Sequence, residues 1–419
     1  MRKIFTSAIH CGWAIACLLF ITTSCQKNIE KAANKPDTAG DIAATDASAA
    51  REGGSNQLKD LVQVNLVGSD NEFQPVRVDP RLINAWGMAF APSGPDWVSA
   101  NGAGLSVIYN TSGNDVRPPV TIPTHDSVAG GHPTGVVFNA GTGFKLPNGN
   151  AARFIFVGDD GIISAWNAGN AAVKMLDKSA NSSYTGLAIA ADGTDTFIYA
   201  ANFRTHKIDV FDRNWVQVFT KPFRGLHFPR GYAPFNIQNV GGKLFVMYAK
   251  VGDNGDEETG HGKGFVDIFR PNGTLVKRFT TGGELNAPWG VAMAPDGFLS
   301  FIQHGHGHEG HGDNDNNRSA NSNRDGHGDG DGHGDGDNHN DLHNVILIGN
   351  FGDGRINAYN SDGEFIDHLR VNDGHPVHID GLWAISFAPA TATTIDPNWL
   401  FFAAGPHDET HGLFGYIKK

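Results

Sequence analysis

The sequence contains little cysteine, and what there is lies at its start. Only three cysteines occur in 419 residues, at Cys11, Cys17 and Cys25. Because no thiol follows residue 25, the rest of the chain can form neither an internal disulfide nor a thiolate zinc site. The stability of that part must come from side-chain packing.

The chain also lacks a basic excess and an apolar run of membrane length. Its 32 Lys and Arg residues are outnumbered by 44 Asp and Glu residues, which gives a formal net charge of -12. Such a surface repels the phosphates of DNA and RNA, so we expect no nucleic-acid partner. The apolar run at residues 12–21 is too short to span a bilayer.

Local catalytic signatures are missing as well. The sequence has no Gly-x-Ser-x-Gly elbow, no His-Glu-x-x-His pair, no Walker loop and no dinucleotide fingerprint. Nucleophilic, zinc-protease and nucleotide chemistries therefore have no local support. This favours a binding or scaffold role over catalysis.

The N-terminus has the features of an export signal. Arg2 and Lys3 precede the apolar run, and three small residues lead to Cys25. Residues 1–24 resemble a bacterial lipoprotein signal, which implies lipidation of Cys25 and a location at the outer membrane or cell envelope, held to the membrane by the lipid. The alternative is a buried apolar strand. Residues 25–60 lack a steady apolar period and predict a flexible tether.

An internal repeat dominates the chain from residue 61. Three short pieces recur six times: a turn leading into an apolar strand, a second apolar strand ending in a polar or Gly-containing turn, and an alternating strand with an aromatic residue near its end. A more polar fourth strand follows the first five copies. Residues 62–66 can supply the fourth strand of the sixth copy by pairing with the C-terminus. We therefore expect an all-β, six-bladed β-propeller with four antiparallel strands per blade over residues 61–419, closed by this N-terminal strand.

Several motifs of the repeat resemble known propellers. The Pro-Trp-Gly-Val-Ala turn at 288–292 and its equivalents are similar to NHL-type six-bladed propellers. The runs at 83–90, 264–269, 349–359 and 380–384 resemble an uncharacterised family of secreted bacterial propellers. The resemblance implies a propeller fold and export, but no activity.

In such a ring, the loops before each first strand and after each second strand meet at one end of the central channel, where ligands usually bind. Carboxylates and Asn carbonyls there suit Ca²⁺, and Trp faces suit a glycan or another flat small molecule; a protein partner is a third option. In the alternative interpretation, Asn and Asp cap turns and Trp packs between blades. The candidate residues are Asn84, Trp86, Asn101, Asp159, Asp160, Asn202, Arg204, Asn236, Trp289, Asn350, Asp353, Arg355, Asp380, Trp383 and His407.

One enzymatic alternative follows from the wider resemblance to six-bladed propellers. Related propellers include metal-dependent lactonases, which implies a divalent ion held by a Glu at the start of one blade with Asn and Asp from others. Asn101, Asn202 and Asp160 stand in suitable places, but no first-strand turn contains Glu. A Ca²⁺-dependent hydrolase of this type is therefore the alternative to a binding module.

Residues 304–344 interrupt the fifth copy. They contain eight His, eight Asp, one Glu and two Arg, with Leu342 as the only large apolar residue, a composition typical of disorder. This segment should leave the face opposite the first-strand turns. Four of its imidazoles can chelate Zn²⁺ or Ni²⁺, which makes metal sequestration a further alternative; a solvated acidic spacer is the other interpretation. These four are His304, His306, His308 and His311.

Overall fold

The computed structural model describes residues 58–94, 96–225, 228–299 and 344–419. Two groups of predictions lie outside the described residues. One comprises the signal 1–24, the lipidation site Cys25 and the tether up to residue 57. The other comprises the insertion up to residue 343, including His304, His306, His308 and His311. Within the described ranges, no helix has both the length and the apolar character needed to cross a bilayer.

The described chain is built almost entirely from short strands. It starts with β1 (Val62–Gly68) and β2 (Arg77–Val78). Blade 1 contains β3 (Ala85–Phe90), β4 (Asp96–Ala100), β5 (Leu105–Tyr109) and β6 (Val120–Thr121). Blade 2 contains β7 (Pro133–Phe138), β8 (Phe154–Gly158), β9 (Ile162–Trp166) and β10 (Val173–Asp177). Blade 3 contains β11 (Tyr184–Asp192), β12 (Asp195–Asn202), β13 (Lys207–Asp212) and β14 (Gln217–Val218).

The second half of the chain repeats the same plan. Blade 4 contains β15 (Tyr232–Val240), β16 (Lys243–Val251), β17 (Glu257–Glu258), β18 (Phe265–Phe269) and β19 (Leu275–Thr281). Blade 5 contains β20 (Pro288–Met293), β21 (Ile346–Asn350), β22 (Ile356–Tyr359) and β23 (Phe365–His368). Blade 6 contains β24 (Leu382–Phe387), β25 (Leu400–Ala404) and β26 (Leu413–Lys418). The described helices are α1 (Asp296–Leu299) and a 3-10 turn at Asn101–Ala103.

Six sheets form a closed ring. Neighbouring strands within each of the six blades are antiparallel. The first strands β3, β7, β11, β15, β20 and β24 each contact the first strands of both neighbouring blades, so together they line the central channel. The expected six-bladed β-propeller is confirmed.

The two ends of the domain close this ring. Strand β1 pairs antiparallel with β26, from Val62 opposite Lys418 to Gly68 opposite Leu413. Blade 6 thereby gains its fourth strand, and β26 does not become an open sheet edge, which would be a hazard for aggregation. The predicted pairing of the chain ends is confirmed; we call the β1–β26 pair the latch.

Two strands and one boundary were not predicted. Strand β2 runs parallel to β1, and β17 pairs with the end of β16. Each has only two residues, too few to produce a detectable alternation of apolar and polar side chains. Leu58, assigned to the tether by its sequence, is fully buried, and its carbonyl accepts a hydrogen bond from the Arg370 amide.

Every inner strand contains a bulge at the same level of the channel. The pairing register with the second strand shifts there in all six blades. A bulge adds one residue to a strand and redirects its side chain. The six residues at this level are Trp86, Thr134, Thr185, Phe235, Trp289 and Trp383.

The glycine that follows most of these bulges is needed for blade packing. A Cβ on Gly87 would lie 2.3 Å from the carbonyl oxygen of Thr134 in the next inner strand. A Cβ on Gly135 would lie 2.5 Å from the backbone nitrogen of Leu187. Since backbone cannot yield as a side chain can, only glycine fits at these positions. This contact explains the recurrent Trp-Gly and Thr-Gly pairs of the repeat.

Candidate binding site at the channel mouth

Aromatic side chains fill the centre of the channel. Trp383 is fully buried and stacks between Trp86, at 3.7 Å between ring centroids, and Phe351, at 4.0 Å. Trp289 and Phe235 contact the same indole at 6.0 and 5.6 Å. We call these five residues the aromatic layer.

The aromatic layer changes the interpretation of three predicted site residues. Trp86, Trp289 and Trp383 are at most 5% exposed. Their faces pack on one another because the bulges turn them towards the channel axis, so they do not present open stacking surfaces for a sugar. The interpretation of these tryptophans as packing residues fits the structure better than the expectation of ligand-binding faces.

Asn84 connects the aromatic layer to the polar end of the channel. Its Oδ1 accepts a hydrogen bond from Trp383 Nε1 at 2.9 Å, and its Nδ2 donates to Glu409 Oε2 at 2.6 Å. The residue is buried and has a left-handed φ of 49°, a conformation that Asn tolerates better than most side chains. The oxygen and the nitrogen of this amide are thus both hydrogen-bonded, and the nitrogen holds the Glu409 carboxylate in place.

A second amide and carboxylate pair lies beside Asn84. Asn101 Nδ2 donates to Asp159 Oδ2 at 3.3 Å, while Asn101 Oδ1 lies 3.5 Å from Asn84 Nδ2. Burial raises the pKa of the Asp159 carboxyl, although the nearby His132 and the bond from Asn101 partly offset this effect. The predicted residues Asn84, Asn101 and Asp159 therefore meet in one cluster.

Two glutamates that the sequence analysis did not select complete the cluster. Burial raises the pKa of Glu409, and the negative charges of Asp159 and Asp256 raise it further. Burial, followed by the charges of Glu409 and Asp256, raises the pKa of Glu257 to about 7. We call Asn84, Asn101, Asp159, Glu257 and Glu409 the acidic mouth.

An unusual turn supplies Glu409. Three consecutive residues, His407, Asp408 and Glu409, have φ values of 54°, 51° and 65°. Each non-glycine residue in this left-handed region costs on the order of 1 kcal/mol or more. Strain of this kind often accompanies function, and here it directs Glu409 to Asn84.

The repeat pattern does not indicate these glutamates, because neither lies in a first-strand turn. Glu257 begins β17, within the segment between β16 and β18 of blade 4, and Glu409 lies between β25 and β26 of blade 6. The available signal was the acidic sequence of these connections, at residues 253–258 and 408–409. These connections reach the same end of the channel as the first-strand turns.

Two predicted residues stabilise turns. Asn202 Oδ1 accepts from the backbone nitrogens of Ser183 and Thr205, and its Nδ2 donates to Asp209. Asn350 Oδ1 likewise accepts from the Asn286 backbone nitrogen. Both are buried, so their oxygens are committed to the blade and not directed to a ligand.

The other predicted residues are dispersed. Asp160 Oδ1 accepts a hydrogen bond from the Ile162 backbone nitrogen, as carboxylates in turns do. Asp353 Oδ1 accepts one from the Arg355 backbone nitrogen in the same way. Asn236 donates to the Trp289 carbonyl inside the channel wall. Asp380 Oδ2 accepts a hydrogen bond from the His407 backbone nitrogen. The remaining side chains lie outside the acidic mouth: Arg204 is exposed, Arg355 is half-buried, and the His407 imidazole is directed to Glu72.

A separate cavity of about 370 Å³ lies within the channel. Residues from all six inner strands line it, including Met88, Val137, Ile189, Ile237 and Ile385. This lining is mainly apolar. Trp289 of the aromatic layer belongs to it, whereas no residue of the acidic mouth does.

Three uncharacterized proteins of Acanthamoeba polyphaga mimivirus are similar to this chain. One is 28% identical over 372 residues, which covers 85% of this chain and 80% of the viral protein. A second is 28% identical over 375 residues, with 85% and 86% covered. A third is 25% identical over 248 residues, with 56% and 38% covered. No known family model matches the sequence.

Solved propeller structures resemble the chain only distantly. A streptogramin B lyase shares 11% identity at a TM-score of 0.40, with 85% of this chain and 97% of the lyase covered. A virginiamycin B lyase from Staphylococcus aureus shares 11% identity at a TM-score of 0.42, with 86% and 99% covered. The propeller architecture expected from the repeat is confirmed, while the bacterial and secreted character of the family stays a prediction.

Proposed function

We propose that the protein is an exported, lipid-anchored binding module that holds a divalent cation, best matched by Ca²⁺, at its acidic mouth. The ion would in turn contact oxygen atoms of a small molecule, a glycan or a protein. The proposal depends mainly on one observation, the hydrogen bonds by which the buried amides of Asn84 and Asn101 hold Glu409 and Asp159 at the same end of the channel. Asp159, Glu257 and Glu409 do not all bring ligand atoms within 4.8 Å of one another in the described chain, so an ion would have to draw them together.

The electrostatics of the acidic mouth favour a bound cation. Negative charges that raise one another's pKa values repel, and a cation placed among them replaces this repulsion by attraction. Ca²⁺ takes about six to eight oxygen ligands from carboxylates, amide carbonyls and water. Such a number leaves coordination positions for water or for a ligand in addition to the protein oxygens.

The hydrogen bonds of the acidic mouth fit this arrangement. Asn84 holds one oxygen of Glu409, and Asn101 holds one oxygen of Asp159. Within the described parts of the chain, Glu409 Oε1 has no hydrogen-bond partner, so Glu409 has one oxygen held by Asn84 and one available for an ion. Asp159 Oδ1 lies 4.0 Å from His132 Nδ1, and the Asp159 carboxyl also interacts with the Asp160 backbone.

Calorimetric titration with Ca²⁺ tests the proposal. The wild-type protein should bind, and Glu409→Gln and Asp159→Asn should each weaken binding at least tenfold, because each removes a charge and a ligand oxygen. Asp195→Asn is the matched control, since Asp195 is an exposed carboxylate at the start of β12, outside the acidic mouth. Undiminished calcium binding in both mouth variants would refute the proposal.

A hydrolase of the lactonase type is the second candidate function. The observation that favours it is the pKa of Glu257, about 7, which suits a group that exchanges protons near neutral pH. The test is lactone hydrolysis by the wild-type protein with calcium. Turnover that disappears in Glu257→Gln would support catalysis, whereas turnover equal in the two proteins would exclude this role of Glu257.

Membrane attachment is proposed from the sequence alone. A labelled lipid precursor should be incorporated into the wild-type protein in cells and not into Cys25→Ala. Equal labelling of the two would contradict the lipoprotein assignment. Metal sequestration by His304, His306, His308 and His311 is an additional proposal; deletion of 304–344 should then lower the number of nickel ions bound per chain, and an unchanged number would refute it.

A further inference from the structure

A cluster of two histidines and two carboxylates lies beside the latch. Asp70 and Glu72 belong to the connection between β1 and β2, and His407 and His411 belong to the connection between β25 and β26. The first connection follows the N-terminal strand of the latch, and the second precedes its C-terminal strand. A ligand held by both connections would therefore tie the two ends of the domain together.

The distances in the cluster suit a small cation. His411 Nε2 lies 3.0 Å from Asp70 Oδ2, and His407 Nε2 lies 2.9 Å from Glu72 Oε1. The other oxygen of Glu72 lies 3.9 Å from His411 Nε2. Ligand atoms about 2.0–2.1 Å from a tetrahedral zinc ion are themselves about 3.3 Å apart. Asp70, Glu72 and His411 each place one ligand atom within 4.8 Å of the other two, so small side-chain rotations would bring these three around one ion. His407 lies outside this group and contacts Glu72.

The turn that carries His411 orients its imidazole. The Thr410 hydroxyl donates to the His407 carbonyl at 2.7 Å and also lies 2.9 Å from His411 Nδ1. With Nδ1 engaged on this side of the ring, Nε2 is the nitrogen directed to Asp70.

The surroundings hold the ligands in place. The Glu72 amide donates to Asp70 Oδ1 at 2.9 Å, which leaves Asp70 Oδ2 for the ion. Ser69 and Gly412 exchange two hydrogen bonds, at 2.9 and 3.1 Å, and so join the two connections next to the cluster. The Phe73 ring contacts both imidazoles, at 5.6 and 6.5 Å between ring centroids. Hydrogen bonds from groups behind the ligands are the usual support of protein metal sites.

We propose that Asp70, Glu72 and His411 form a zinc site that clamps the latch, with His407 held against Glu72 beside it. One imidazole and two carboxylates, with water in the fourth position, are a ligand set suited to zinc and related divalent transition metals. The four side chains are partly exposed, so a metal can enter from solvent. Its ligands differ from those of the acidic mouth, where a hard cation such as Ca²⁺ is proposed, although Glu409 lies in the same connection as His411.

Hydrogen exchange followed by mass spectrometry on the full chain tests the proposal. With zinc at 100 times its Kd, the amides of β1 and β26 should exchange about 100-fold more slowly than without metal, because opening of the latch then requires release of the ion. The slowing should disappear in Asp70→Asn and in His411→Gln. His375→Ala removes an exposed histidine elsewhere and should behave as the wild type.

Hydrogen exchange measured without metal first establishes that the latch is folded in Asp70→Asn and in His411→Gln. If the latch of one variant is not folded, the other variant still provides the test. Equal zinc protection in the wild type and in Asp70→Asn would place the metal elsewhere and overturn the proposal. Latch exchange that responds to pH but not to zinc would mean that His411 carries a proton instead, and would also overturn it. Loss of calcium binding in the Glu409 variant affects neither result.

Discussion

Replacement of Glu257 by glutamine should make the protein more stable above neutral pH. The pKa of this carboxyl is raised from 4.5 to about 7 in the folded state, because its burial and the nearby charges of Glu409 and Asp256 disfavour ionisation. At pH 4 the carboxyl is largely protonated in both the folded and unfolded states. Between pH 4.5 and 7 only the unfolded state ionises, so stability falls, and above pH 7 the full penalty is present.

The size of the effect follows from the shift. Each pH unit between the unfolded and folded pKa values corresponds to about 1.4 kcal/mol, which gives at most about 3 kcal/mol for Glu257. Because glutamine cannot ionise, Glu257→Gln should raise the free energy of unfolding by up to about 3 kcal/mol at pH 8 and leave it nearly unchanged at pH 4. Urea unfolding without calcium, from pH 4 to 8, measures this difference.

The adjacent Glu258 provides a control of opposite sign. Bonds from Lys250 and Lys263 lower its pKa from 4.5 to about 2, so its charge stabilises the fold. That contribution is present above pH 4.5 and is lost as the pH falls through about 2. Glu258→Gln should therefore destabilise the protein at pH 8. A Glu257→Gln variant that is equally or less stable than the wild type at pH 8 would refute the electrostatic account of the acidic mouth.

Three further substitutions test the packing of the channel and blade 1. Trp383→Ala should cost about 3–5 kcal/mol in urea unfolding, because a fully buried indole leaves a cavity between two stacked rings; a cost below 1 kcal/mol would contradict the aromatic layer. Gly186→Ala should cost about 1–3 kcal/mol, since its Cβ would lie 2.0 Å from Asn236 Oδ1; a neutral result in thermal unfolding would contradict the close blade contact. Tyr109→Phe should cost about 1.5–3 kcal/mol, because its hydroxyl donates to the buried Asp79 carboxylate at 2.8 Å; unchanged stability at pH 7 would show that this bond contributes nothing.

The fold could be predicted because a repeat contains the same information six times. Apolar alternation and turn residues locate each strand, and the missing fourth strand of the last copy predicts pairing between residues 62–66 and the C-terminus. The bulges could not be predicted, since nothing in a Trp-Gly pair reveals a register shift. The shift matters, because it turns Trp86 and Trp383 into the channel, where they pack on each other.

The positions of three candidate residues could be predicted. Asn84, Asn101 and Asp159 were expected at one end of the channel and do meet there. Asn202 and Asn350 occupy equivalent positions in the repeat but accept backbone hydrogen bonds, a difference that depends on local geometry rather than on residue type. The glutamates lie in connections of different length and sequence, and the repeat gives no alignment for such connections.

Anomalous diffraction from crystals soaked in a lanthanide, as a substitute for Ca²⁺, tests the central claim most directly. The account predicts a peak among Asn101, Asp159 and Glu409, within bonding distance of carboxylate oxygens, and no such peak in crystals of Glu409→Gln. An acidic mouth without a peak at lanthanide concentrations that saturate binding in solution would contradict the account.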